Sequence, residues 1–113
     1  MANPKKFTRD FSSTLLNTPE IVYTSPLDGT GSVVTAFSVT NATTVNRIHS
    51  AYIFGSDGVL VKKLISDERL IRNKSSFGGE IVNQALSPGE TIRVESDLAN
   101  SVNWNISGKE FIT

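Results

Sequence analysis

Short runs in which apolar and polar side chains alternate recur along the sequence, each closed by a cluster of Gly, Pro, Asn, Asp or Ser. A period of two sends successive side chains to opposite faces of a strand, so such runs build half-buried sheets. No segment sustains the 3.6-residue period of an amphipathic helix. Ile21-Val22-Tyr23-Thr24 ends at Ser25-Pro26, and Leu27-Asp28-Gly29-Thr30-Gly31 reads as a turn whose glycines tolerate positive φ. Ser32 to Thr40 alternates, with Val33, Thr35, Phe37 and Val39 on one face and Val34, Ala36, Ser38 and Thr40 on the other. Arg47 to Phe54 is the next strand, presenting Ile48, Ser50, Tyr52 and Phe54 together. Gly55-Ser56-Asp57-Gly58 leads into Val59-Leu60-Val61, and an Asp-Gly pair between apolar runs predicts a hairpin with a type I′ turn.

After Ile65 the pattern weakens, and Asp67 to Asn73 fits a short strand or one helical turn. Phe77-Gly78-Gly79 suggests a kink or bulge, Glu80 to Leu86 a strand, and Ser87-Pro88-Gly89-Glu90 a turn. Thr91 to Ser96 places Ile92 and Val94 inward, with Thr91, Arg93 and Glu95 outward. Val102, Trp104 and Ile106 alternate with Asn103, Asn105 and Ser107. Strands this short, separated by turns, predict an all-β fold: an antiparallel β-sandwich or jelly-roll-like barrel of about seven to eight strands.

With 113 residues the chain has room for one sizeable core. Residues 19–113 are expected to form the sandwich domain and residues 1–18 an extended N-terminal arm. Phe7, Phe11, Leu15 and Leu16 approach helical spacing, but the Ser, Thr and Asn around them are poor helix formers. Large apolar side chains on a polar arm are wasted in water, so these four are candidate partner-binding residues. They dock either on the domain's own sheet or on a neighbouring subunit.

The chemistry that would make an enzyme is missing from the pattern. Acidic and basic residues balance at eleven each, without the basic excess by which proteins displace counterions from phosphates, so nucleic acid is not an expected partner. Cysteine is absent, which excludes disulfides and thiolate metal sites. The one histidine, His49, lies within a strand and reads as a surface or interface residue rather than a general base. Asp28, Asp57 and Asp97 fall in separate turns, unlike the clustered carboxylates of a calcium loop. Gly29-Thr30-Gly31 precedes a strand, not a helix, and is no phosphate cradle. Neither catalytic residue, cofactor nor metal is therefore expected. Asn41-Ala42-Thr43, Asn73-Lys74-Ser75 and Asn105-Ile106-Ser107 match the glycosylation pattern, as chance allows in so Asn-, Ser- and Thr-rich a chain. Trp104 shares a face with Val102 and Ile106, which favours core packing over a sugar-stacking platform. Without a signal-like or membrane-spanning apolar run, the expectation is a soluble protein made in the cytoplasm, with no membrane partner.

The stretch from Ile21 to Asn41, IVYTSPLDGTGSVVTAFSVTN, resembles a recurring opening in small virion proteins of tailed bacteriophages. Tyr52-Ile53-Phe54, Asp57-Gly58, the hairpin Leu86 to Val94 and the closing strand Val102 to Gly108 follow in similar order. Asp67 to Gly79 departs from that pattern, and the N-terminal arm lies outside it. The resemblance covers residues 20–108 and implies a non-enzymatic virion structural protein, synthesised in the host cytoplasm. Such proteins decorate or cement the capsid, join head and neck subunits, or serve as tail modules. The implied partners are other virion subunits, with a homo-oligomer in the assembly. The shared positions are core and turn positions, so no functional residue is carried over. The alternative is a carbohydrate- or receptor-binding β-sandwich of a tail tip or fibre.

Overall fold

In the computed structural model, residues 4–12, 18–70, 75–77, 81–98 and 102–112 are described. They form nine strands: β1 (Lys5–Ser12), β2 (Glu20–Thr24), β3 (Gly29–Asn41), β4 (Arg47–Phe54), β5 (Leu60–Leu70), β6 (Ser75–Phe77), β7 (Ala85–Leu86), β8 (Thr91–Ser96) and β9 (Val102–Ile112). One sheet runs β1-β9-β3, with β6 and β7 both bonded to β3, and the other runs β2-β8-β4-β5. Every pairing is antiparallel. Early strands pair with late ones: β1 with β9, β2 with β8, β3 with β6 and β7, and β4 with β5. That nesting, spread over two sheets, is the jelly-roll connection, so the fold is the expected all-β sandwich in its rolled form.

The core lies between the sheets. Val34, Phe37, Val39, Val102, Trp104 and Ile106 of the first sheet meet Val22, Tyr23, Ala51, Ile92 and Val94 of the second. Strand alternation supplies most of this list directly, as in β8 and β9, where Ile92, Val94, Val102, Trp104 and Ile106 point inward as expected.

Two strands depart from the expected phase. In β3 the pairing with β9 slips between Val34 and Ala36, so Thr35 and Ala36 are both exposed. An extra residue reverses which face follows it, so Val34 shares the interior with Phe37 and Val39 while Val33 does not. In β4 the inward side chains are His49, Ala51 and Ile53, whereas Ile48 is exposed and Tyr52 and Phe54 lie half-buried on the outer face. Arg93 spreads its guanidinium 4.2 Å from the Phe54 ring centroid, and the Tyr52 hydroxyl donates to Glu95. These contacts make an aromatic outer face tolerable in water.

The β4–β5 hairpin forms, but not through a type I′ turn. Gly58 N–H donates to Gly55 C=O and Gly55 N–H to Val59 C=O, and only Gly58 of the loop takes positive φ, at 81°. This is the longer hairpin loop with a glycine bulge, steadied by Val59 N–H donating to the Asp57 carboxylate at 3.1 Å. β5 continues as strand to Leu70, beyond the point where its periodicity fades. The strand expected over 80–86 shrinks to β7, because residues 81–83 turn and Asn83 adopts a φ of 70°. Ser87-Pro88-Gly89-Glu90 is the expected turn, with Glu90 N–H donating to Ser87 C=O and φ of 83° at Gly89.

Candidate interaction surfaces

Residues 5–12 are bonded as β1 along β9, so this part of the N-terminal segment lies on the chain's own sheet. Phe7 faces inward, 6% exposed, and stacks on Tyr23 with centroids 4.0 Å apart. It sits over Gly108, its cross-strand partner, where an added Cβ would stand 2.6 Å from the ring. A ring this well enclosed contributes roughly 1.5–3 kcal/mol of burial. Phe11 packs against the core beside Trp104, at a centroid distance of 6.2 Å. Leu15 and Leu16, the other candidate partner-binding residues, lie outside the described residues.

The interior holds polar groups that are mostly satisfied locally. Tyr23 donates its hydroxyl to the Glu110 carboxylate at 2.7 Å, joining the two sheets, and Ser32 donates to Ser25 at 2.9 Å. Burial raises the Tyr23 pKa above the ordinary phenol range, and the Glu110 carboxylate adds to the rise against the opposing pull of Ser32 and Arg9. Asn41 is wholly buried: its amide donates to Val45 C=O and its oxygen accepts from Thr43 N–H and hydroxyl, which pins the β3–β4 loop. Its match to the glycosylation pattern therefore falls on a loop-forming side chain. His49, expected as a surface or interface residue, is instead 1% exposed in the interior beside Trp104. β4 pairs with β8 without a slip, and simple alternation puts His49 on the inner face with Ala51 and Ile53. Among the described residues no group of three His, Cys, Asp or Glu is placed to hold a metal.

Three regions stand out on the surface of the described residues. One end gathers the β2–β3 loop, the β4–β5 hairpin and the β7–β8 turn, since Leu27 and Ser56 both crowd Gly89. Leu27 is 79% exposed there, and Val59, Leu60 and Val61 stand exposed at and beside the hairpin tip. The opposite end carries exposed Val45, Ile48 and Leu98 around the Arg47–Asp97 ion pair of 3.8 Å. Beside this second end, the outer face of the first sheet bears a shallow groove of about 370 Å³ lined by Asp10, Ser12, Ser38, Thr40, Asn103 and Asn105, with Phe11 and Trp104 completing it. Phe11 apart, the sequence marked none of these as a surface site. Val59-Leu60-Val61 reads like any buried run, and the groove residues come from three strands far apart in the chain.

Neither a protein-family model nor a curated protein matches the sequence. Solved structures do match the fold. A chain in the structure of infectious bursal disease virus, Gx strain, aligns over 96% of this chain at 16% identity with a TM-score of 0.55. The crystal structure of the VP2 subviral particle of the same virus aligns over 96% at 16% identity with a TM-score of 0.45. The chain is similar to about one third of each, covering 33% of their length. At this identity the likeness is one of fold.

Proposed function

We propose that this chain is a non-enzymatic structural protein of a virus particle, decorating or cementing a capsid or joining head and neck subunits of a tailed bacteriophage. The observation that carries the reading is the jelly-roll match, over nearly the whole chain, to a chain of an assembled virus. Jelly rolls serve other functions too, so fold alone is an analogy. The resemblance to small phage virion proteins supports the finer assignment. The apolar ends support its mode of action: side chains such as Leu27 and Val59 gain by being covered, and many modest contacts repeated over a symmetric shell hold firmly. Leu15 and Leu16 keep a partner-facing role within this reading, whereas Phe7 is already enclosed by its own chain.

Density-gradient sedimentation of the purified chain, alone and with particles from the source that encodes it, tests the proposal. The chain should travel with the particles. A variant carrying Leu27→Asp, Val59→Asp and Val61→Asp should stay at the top of the gradient with an unchanged β spectrum. Particles that contain none of the chain and bind none of it would overturn the assignment.

A further inference from the structure

We propose that the groove on the outer face of the first sheet binds a short neutral saccharide. Its residues stand in register: Asp10, Asn105 and Ser38 form one rung across β1, β9 and β3, and Ser12, Asn103 and Thr40 form the next. Alternation sends the Phe11 and Trp104 side chains to the opposite face, so these two contribute the floor through their main chain. The walls are carboxamide, hydroxyl and one carboxylate, and the Asn105 amide donates to the Asp10 carboxylate and orients it.

Chemistry narrows the occupant. Among the described residues no Lys or Arg lines the groove, and Asp10 would repel an anion, so phosphate and sulfate groups fit poorly. The single carboxylate among the described lining residues is too few for a divalent cation. Six of the eight lining residues carry polar side chains that a purely apolar ligand would leave unpaired, and a protein partner needs a patch several-fold wider, roughly 800 Å² on each side. What remains is a neutral ligand dense in hydroxyls. The oriented Asp10 carboxylate can accept from two neighbouring hydroxyls, and the exposed Asn103 amide can donate to one and accept from another. A volume of about 370 Å³ lies near the lower bound of small-molecule sites and has room for one or two sugar rings. Such a lining is well hydrated when empty, so binding is expected at millimolar strength, useful mainly where many copies act together. The inference rests on the groove alone and is independent of association with particles.

The test is amide-resolved NMR of the full chain, titrated separately with glucose, galactose, mannose, N-acetylglucosamine, maltose and lactose to tens of millimolar. At least one sugar should shift the amides of residues 10–12, 38–40 and 103–105 in a saturable way. Asp10→Ala and Asn103→Ala alter exposed side chains and should leave the thermal midpoint unchanged while weakening that sugar about tenfold or more. The proposal is overturned if none of the six sugars moves these amides, or if the shifts survive in the folded Asn103→Ala variant.

Discussion

Trp104 is 1% exposed, and its indole N–H has no hydrogen-bond partner among the described residues. Its contribution is therefore shape and apolar area, not a polar contact. Trp104→Phe should cost only about 1 kcal/mol, because no hydrogen bond is lost and most of the volume is kept. Trp104→Ala should cost about 3–5 kcal/mol by leaving a cavity between His49 and Phe11. Urea unfolding of the two variants measures the contrast. Similar costs for both would mean that the indole nitrogen does have a partner. Gly108 shows the converse at the same scale: the missing side chain is what admits Phe7, and with it the N-terminal strand, onto the sheet.

At the scale of elements, the β4–β5 hairpin separates what a turn motif dictates from what it leaves open. Asp57-Gly58 does make the hairpin, yet the loop is one residue longer than the motif alone suggests, and the glycine serves as the bulge. An added Cβ at Gly58 meets nothing within 4 Å, so Gly58→Ala is a test of backbone strain alone. It should lower stability by about 1 kcal/mol, read from the denaturation midpoint. No change at all would mean that the loop shifts to another conformation. The edges carry a second lesson. β5 takes three register slips against β4 and exposes Lys62, Lys63 and Arg69, while β1 exposes Lys5, Lys6 and Arg9. Bulges and cations on edge strands discourage uncontrolled sheet-to-sheet pairing.

For the molecule as a whole, the Tyr23–Glu110 hydrogen bond ties the two sheets near the edge where β1 and β2 approach. Because burial raises the Tyr23 pKa, the folded chain holds that proton more tightly than the unfolded one. Stability from this source is complete below a pH of about 10, where an ordinary tyrosine ionises, and falls as the pH rises beyond it. Tyr23→Phe should flatten that alkaline decline in thermal-melt series while lowering stability near neutrality by about 1 kcal/mol. An alkaline limb unchanged in the variant would place the effect elsewhere. Much of this architecture was legible in one dimension. Alternation in β8 and β9, the turn at Ser87-Pro88-Gly89-Glu90 and the all-β class follow from side-chain period and backbone freedom, which act over a few neighbouring residues. The bulge in β3, the inward His49, the burial of Phe7, the exposed tip at Val59-Leu60-Val61 and the polar groove could not be read that way. Each depends on which strands become neighbours. One inserted residue reverses a face, a distant glycine opens room for a ring, and six side chains from three remote segments share one surface only after the roll has closed.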